Sequence, residues 1–311
     1  MRKKYFNFRT DMADERVDMY KKVYNLTKID GVEVLSDTQD GVKTTIVNVL
    51  NENGENAVMK EKGKYITMEI TDINYLEEKD KEEVGKIVAN QVRELIGTDN
   101  TKSILVVGLG NIAVTPDALG PKVVKNIEIT RHLLNYAKDL VEKNTRSVSA
   151  IAPGVLGTTG IETYEIVNSI VQKTNPDMLI VIDSLASKSI YRIGNTIQLS
   201  NTGITPGEGV RNKREALNQK SLGIPVIAIG VPTVVDLGTI IDEGLDIFIG
   251  KLQEKAESNE YLNKLKEQDN YEEIKEALAP NDYNMIVTPK EIDDLIENMK
   301  DVIARGINYA V

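Results

Sequence analysis

The feature that most constrains this chain is the spacing of its apolar runs. Ser103-Ile104-Leu105-Val106-Val107, Met178-Leu179-Ile180-Val181-Ile182 and Pro225-Val226-Ile227-Ala228-Ile229 are continuous apolar stretches of strand length. A strand that is apolar on both faces must be covered on both, the condition of a buried parallel strand. Pro121 to Leu140 and Ile161 to Thr174 read as helices between these runs, and Ser149–Ala152 and Thr196–Leu199 as shorter strands. Alternation of this kind predicts an α/β fold: a twisted, mostly parallel sheet with helices on both faces.

The N-terminal part follows a different pattern. Asp14 to Leu26 begins a helix, and residues 31–73 break into short β-prone pieces. Thr44–Leu50 and Tyr65–Ile70 are two of these, and Asn53-Gly54 between them is a turn signal. Glu77 to Leu95 returns to helical spacing, with Val84, Ile87, Val88, Val92 and Leu95 on one face. Gly250 to Pro280 reads as exposed, charged helix, and Ile286–Glu291 starts a last helix running to about Ala304 with Thr288 or its neighbour as cap. We expect one α/β domain over residues 12–311 with a smaller β-containing excursion at about 31–73.

Composition narrows the chemistry. The 311 residues hold 38 Lys and Arg against 48 Asp and Glu, a net charge of −10. That sign opposes binding to nucleic acid and to anionic lipid. There is no cysteine, so disulfides, thiol nucleophiles and thiolate metal sites are excluded. No uncharged apolar run reaches the ~18 residues of a membrane helix, and polar Met1–Asp11 lacks the core of a secretory signal. A cytoplasmic protein is expected. The single histidine, His132, lies in a helical stretch with no G-x-S-x-G elbow to partner it, so it reads as a surface or packing residue. Carboxylates remain for acid–base work.

In an open α/β sheet, ligands bind beyond the carboxyl ends of the strands. Asp117 lies in the loop after Ile104–Val107, and Asp183 directly follows Met178–Ile182. Two carboxylates at one strand-end cleft can divide the roles of acid and base; the alternative for each is a loop or helix cap. Gly108-Leu109-Gly110 matches a dinucleotide fingerprint only in part, because Ala113 and Pro116 follow and no acidic residue closes a second strand. The glycine-rich segment Thr202–Arg214 reads either as a surface turn or as a loop shaping a cleft.

Several of these segments occur together in one family. Val107–Asn111 with Val114–Pro121, Ile129–His132, Ser149–Val155 with Gly160–Thr163, and Ile182–Ala186 resemble the germination proteases. So do the Gly203–Arg214 loop, Leu222–Asp236 and Val287–Glu291. The resemblance spans Arg9 to about Asn308.

The resemblance implies a fold like that of the hydrogenase maturation proteases and an unusual aspartic endopeptidase whose two catalytic aspartates fall on Asp117 and Asp183. It implies no cofactor, and nothing aligns with a metal-contacting histidine. It also implies a zymogen, usually a homotetramer, that removes its own N-terminal propeptide. Phe8-Arg9-Thr10-Asp11-Met12-Ala13 matches the processing segment, with residues 1–11 as propeptide and the cut between Asp11 and Met12. The implied substrates are small acid-soluble spore proteins, cut at Thr-Glu before an apolar residue and Ala, in the forespore or spore core. Glu208 stands where the family usually has Ser, and Ser184 where Ala is common. The competing readings are a hydrogenase-maturation-type endopeptidase of the same fold and a non-catalytic nucleotide-binding α/β module.

Overall fold

The computed structural model describes residues 10–71, 73–205, 215–253 and 285–311. One nine-stranded sheet runs through them, in the order β1-β2-β3-β7-β8-β6-β4-β5, with β9 added beside β8. The strands are β1 (Val32–Gln39), β2 (Val42–Val49), β3 (Gly63–Ile70), β4 (Ile104–Gly108), β5 (Val148–Ile151), β6 (Met178–Ser187), β7 (Thr196–Ser200), β8 (Val226–Asp236) and β9 (Ile286–Val287). The fold is α/β with a mixed sheet. Its parallel pairings, β8–β6, β6–β4 and β4–β5, adjoin one another. From β1 through β7 to β8 every pairing is antiparallel.

The apolar runs behave as their composition requires. Ile104, Val106, Ile180, Ile182, Ile227 and Ile229 point to one face, where helices Glu78–Ile96, Leu119–Val124 and Ile292–Ala310 cover them. Leu105, Val107, Leu179, Val181 and Val226 point to the other, against Val167 and Val171 of helix Thr163–Thr174. The period of two along a strand divides each run into two buried sets. A third cluster packs Ala13 and Val17 of helix Ala13–Tyr24, with Ala57 and Val58, onto Val47, Val49 and Tyr65. Residues 31–73 therefore extend the main sheet through the β3–β7 pairing.

Several local expectations are corrected. The turn lies at Asp40-Gly41, between β1 and β2, where φ values of 50° and 78° put both residues in the left-handed region that a tight hairpin of this twist needs. Asn53-Gly54 instead sits in helix Glu52–Val58, because Asn51 Oδ1 accepts from Gly54 N at 3.0 Å and caps that helix. Pro121–Leu140 divides into helices Leu119–Val124 and Arg131–Tyr136 and a 3-10 turn. The last helix runs Ile292–Ala310 with Glu291 at its N-cap position. Thr288 is not its cap; its hydroxyl donates to Thr233 O at 2.9 Å beside the β8–β9 pairing. The expectations for Glu208, for most of the Thr202–Arg214 loop and for nearly all of Gly250–Pro280 lie outside the described residues. Among the described residues no helix is long and apolar enough to cross a membrane.

Candidate active site

The parallel strands bring both sequence-nominated carboxylates to the carboxyl end of β4, where β6, expected to stop at Ile182, instead runs on through Asp183 to Ser187 because β8 continues to pair with it. Gly108, the last residue of β4, is in register with Ile182, and Asp183 follows in β6 opposite Gly230 of β8. The β4 loop is drawn across that end by Leu109 N, which donates to Ile182 O at 2.8 Å. Helix Leu119–Val124 then returns in backbone contact. A Cβ at Gly120 would overlap the Leu109 and Ile182 carbonyl oxygens, so only glycine permits the approach.

A cavity of about 700 Å³ opens there, and Asp117, Asp183 and Asp11 all line it. Asp117 Oδ2 accepts from Asn111 N at 2.9 Å, and Asp183 Oδ1 accepts from its neighbour's Ser184 N at 2.9 Å. One oxygen of each carboxylate is thereby aimed by a backbone amide. Asp183 is buried and Asp117 half-buried. Asp236 lines the same cavity, but its Oδ2 accepts from Thr239 N at 3.1 Å at the start of helix Leu237–Gln253, the behaviour of a cap. Two amides of the glycine loop are already committed, that of Asn111 to Asp117 and that of Leu109 to Ile182. His132 is exposed on helix Arg131–Tyr136. Among the described residues no group of three or more His, Cys, Asp or Glu is arranged to hold a metal ion.

The opposite wall is the N-terminal segment itself. Asp11 N donates to Ala186 O at 2.9 Å, and Asp11 Oδ2 accepts from Ala186 N at 2.8 Å. Gln198 Nε2 donates to Asp11 O at 3.0 Å, while Gln198 Oε1 accepts from Ala13 N at 2.7 Å. Met12 and Ala13 are fully buried, and Met12 N donates to Thr10 Oγ1 at 3.0 Å. The Thr10 hydroxyl in turn donates to Glu15.

Glu15 also accepts from Lys188 N at 2.7 Å and lies 3.4 Å from Arg192 Nε. Burial pushes its carboxyl above the usual range, and Thr10, the Lys188 amide and Arg192 pull it partly back. Asp14 takes the same guanidinium at 2.7 Å. Residues 10–15 are thus fastened to the end of β6, to the turn that follows it and to the middle of β7.

Asp117, Asp183 and Asp11 were open to sequence reasoning; Gln198 was not picked out. Its signal was the stripe Thr196, Gln198 and Ser200, a polar face alternating with apolar Ile197 and Leu199. All five residues are buried, so that polar face is covered by cavity and chain rather than by bulk water.

A family model described as germination protease matches residues 9–266 and 251–311. The chain is 47% identical over 311 residues to the germination protease of Clostridium perfringens, covering 98% of this chain and 95% of that protein. It is 46% identical over 307 residues to that of Clostridium tetani, covering 97% and 95%. With that of Priestia megaterium it shares 40% identity over 348 residues, covering 98% and 94%. The solved NiFe hydrogenase maturation protease HycI of Thermococcus kodakarensis KOD1 matches 46% of this chain and 80% of its own. At a TM-score of 0.30 and 19% identity, that superposition is too distant to bear on the site. The match to the family model and the near full-length identity to these relatives make this chain a member of the germination protease family.

Proposed function

We propose that this protease is a self-processing aspartic-type endopeptidase that cuts its own Asp11–Met12 bond and then degrades small acid-soluble spore proteins during germination. The observation that carries the reading is the lining of one cavity by Asp117, Asp183 and Asp11 together. One carboxylate activates a water against the carbonyl carbon, and the other supplies a proton to the departing nitrogen. Thr10-Asp11-Met12-Ala13 has the form of the Thr-Glu-apolar-Ala sequence expected of the family's substrates. Residues 1–11 serve as the propeptide of a zymogen that works as a homotetramer in the forespore and spore core.

Intact-mass spectrometry of the full chain over time tests this, with wild type beside Asp117→Asn and Asp183→Asn. The wild type loses residues 1–11, and each variant slows by about 10²–10⁴-fold with an unchanged thermal midpoint. Equal cleavage in wild type and variants would remove the aspartates from the mechanism.

A further inference from the structure

Gln198 brackets Met12 and holds the carbonyl of the Asp11–Met12 peptide bond. Its amide N–H reaches the carbonyl oxygen on one side at 3.0 Å, and its amide oxygen takes the Ala13 N–H on the other at 2.7 Å. Because one backbone partner is an acceptor and the other a donor, they fix which way the side-chain amide points. The side chain is 8% exposed, so neither bond competes strongly with water. Ala186 engages the Asp11 N–H and carboxylate, while Gln198 takes the carbonyl oxygen between them and Met12.

We propose that Gln198 is the donor that holds and polarises the carbonyl of the bond being cut. The inference rests on the self-processing reading of Asp11–Met12. In the reaction, the oxygen of water adds to the Asp11 carbonyl carbon and negative charge gathers on Asp11 O. The C–N bond to Met12 then breaks; the water's hydroxyl stays with Asp11 as its new carboxyl group, and its other proton goes to the Met12 nitrogen. A donor already 2.7–3.1 Å from the charging oxygen strengthens as the charge develops, and it needs no rearrangement to do so. The Ala13 N–H serves as the anchor that keeps the amide turned toward that oxygen.

Gln198→Met keeps the bulk and loses the donor. Gln198→Glu keeps the acceptor for Ala13 N–H and loses the donor only while its carboxyl is ionised. Both are made in the full chain, and the rate of loss of residues 1–11 is followed by intact mass from pH 4 to 8 beside thermal midpoints. Gln198→Met is expected to slow cleavage by about 10²–10³-fold at every pH. Gln198→Glu is expected to be as slow at neutral pH and to recover relative to wild type as its carboxyl protonates and donates again. Recovery in Gln198→Glu and not in Gln198→Met, with thermal midpoints that do not follow the rates, separates loss of the donor from a change of bulk or of stability.

Wild-type or faster cleavage by Gln198→Met would overturn the proposal, the faster case marking Gln198 as a latch that protects the bond. If Gln198→Met does not fold, an absence of acid recovery in Gln198→Glu overturns it equally. A wild type that never cuts at Asp11–Met12 would instead overturn the self-processing reading, and this inference with it.

Discussion

Strands β8, β6, β4 and β5 share one sheet with β1, β2, β3 and β7, yet the central strands β4 and β6 of the first set and the outer strands β1 and β2 of the second bury their faces differently. In the parallel half β4 is buried at every position, and β6 at all but Ser184. In the antiparallel half β2 alternates between buried and partly open positions, and the edge strand β1 is open along its length. The parallel half carries Asp117 on the loop after β4 and Asp183 within β6. The antiparallel half contributes a wall, with Tyr65, Gln198 and Ser200 facing the same cavity. The two candidate carboxylates thus come from one half, while the seat of the N-terminal segment is shared, Ala186 coming from β6 and Gln198 from β7.

The sharpest test of that division is a matched pair of truncations. Ile180→Ala, in the centre of β6, removes a fully buried side chain and is expected to cost about 2–5 kcal/mol in urea unfolding. Its counterpart is Leu35→Ala on β1, where the side chain is 60% exposed, and its expected effect is the smallest here, within about 0.5 kcal/mol. Comparable losses at the two positions would break the contrast and mean that β1 is covered in the assembled protein.

Between these extremes lies the seam, where Glu15 ties the N-terminal segment to Lys188 and Arg192. Its folded carboxyl is raised above the ordinary value of 4.5, chiefly by burial, so the folded state holds the proton longer than the unfolded one. Stability therefore declines as pH rises from about 4.5 through the raised value, then levels off. Glu15→Gln is expected to flatten that decline, as read from thermal midpoints across the range. A slope identical to wild type would assign the pH response to other groups.

What could be read from sequence follows the same division. Ile104–Val107, Met178–Ile182 and Val226–Ile229 announce themselves because a run apolar on both faces has few places to go. Asp117 and Asp183 were drawn from expected strand ends, and both line the cavity although β6 runs on past Asp183. The antiparallel half is harder to read because its signals are local and compete. Asn53-Gly54 and Asp40-Gly41 are equally good turn dipeptides, and Asn51 decided between them by capping a helix over the first. β7 reads as a strand of either direction, and only its pairing with β3 and β8 makes it antiparallel. Gln198 was hidden for a further reason: a partner 187 positions away leaves no trace in any local window.

That separation bears on how the protein is made. Asp11 waits for Ala186 and Gln198, which lie 175 and 187 residues downstream. At ~5–20 residues per second of synthesis, the N-terminal segment leaves the ribosome roughly 10 to 40 s before its seat exists. For nearly all of that interval neither Asp183 nor β8 has been made to complete the cavity. The newborn chain therefore carries the Asp11–Met12 bond past a cavity that is still unbuilt, and the order of translation keeps the two apart.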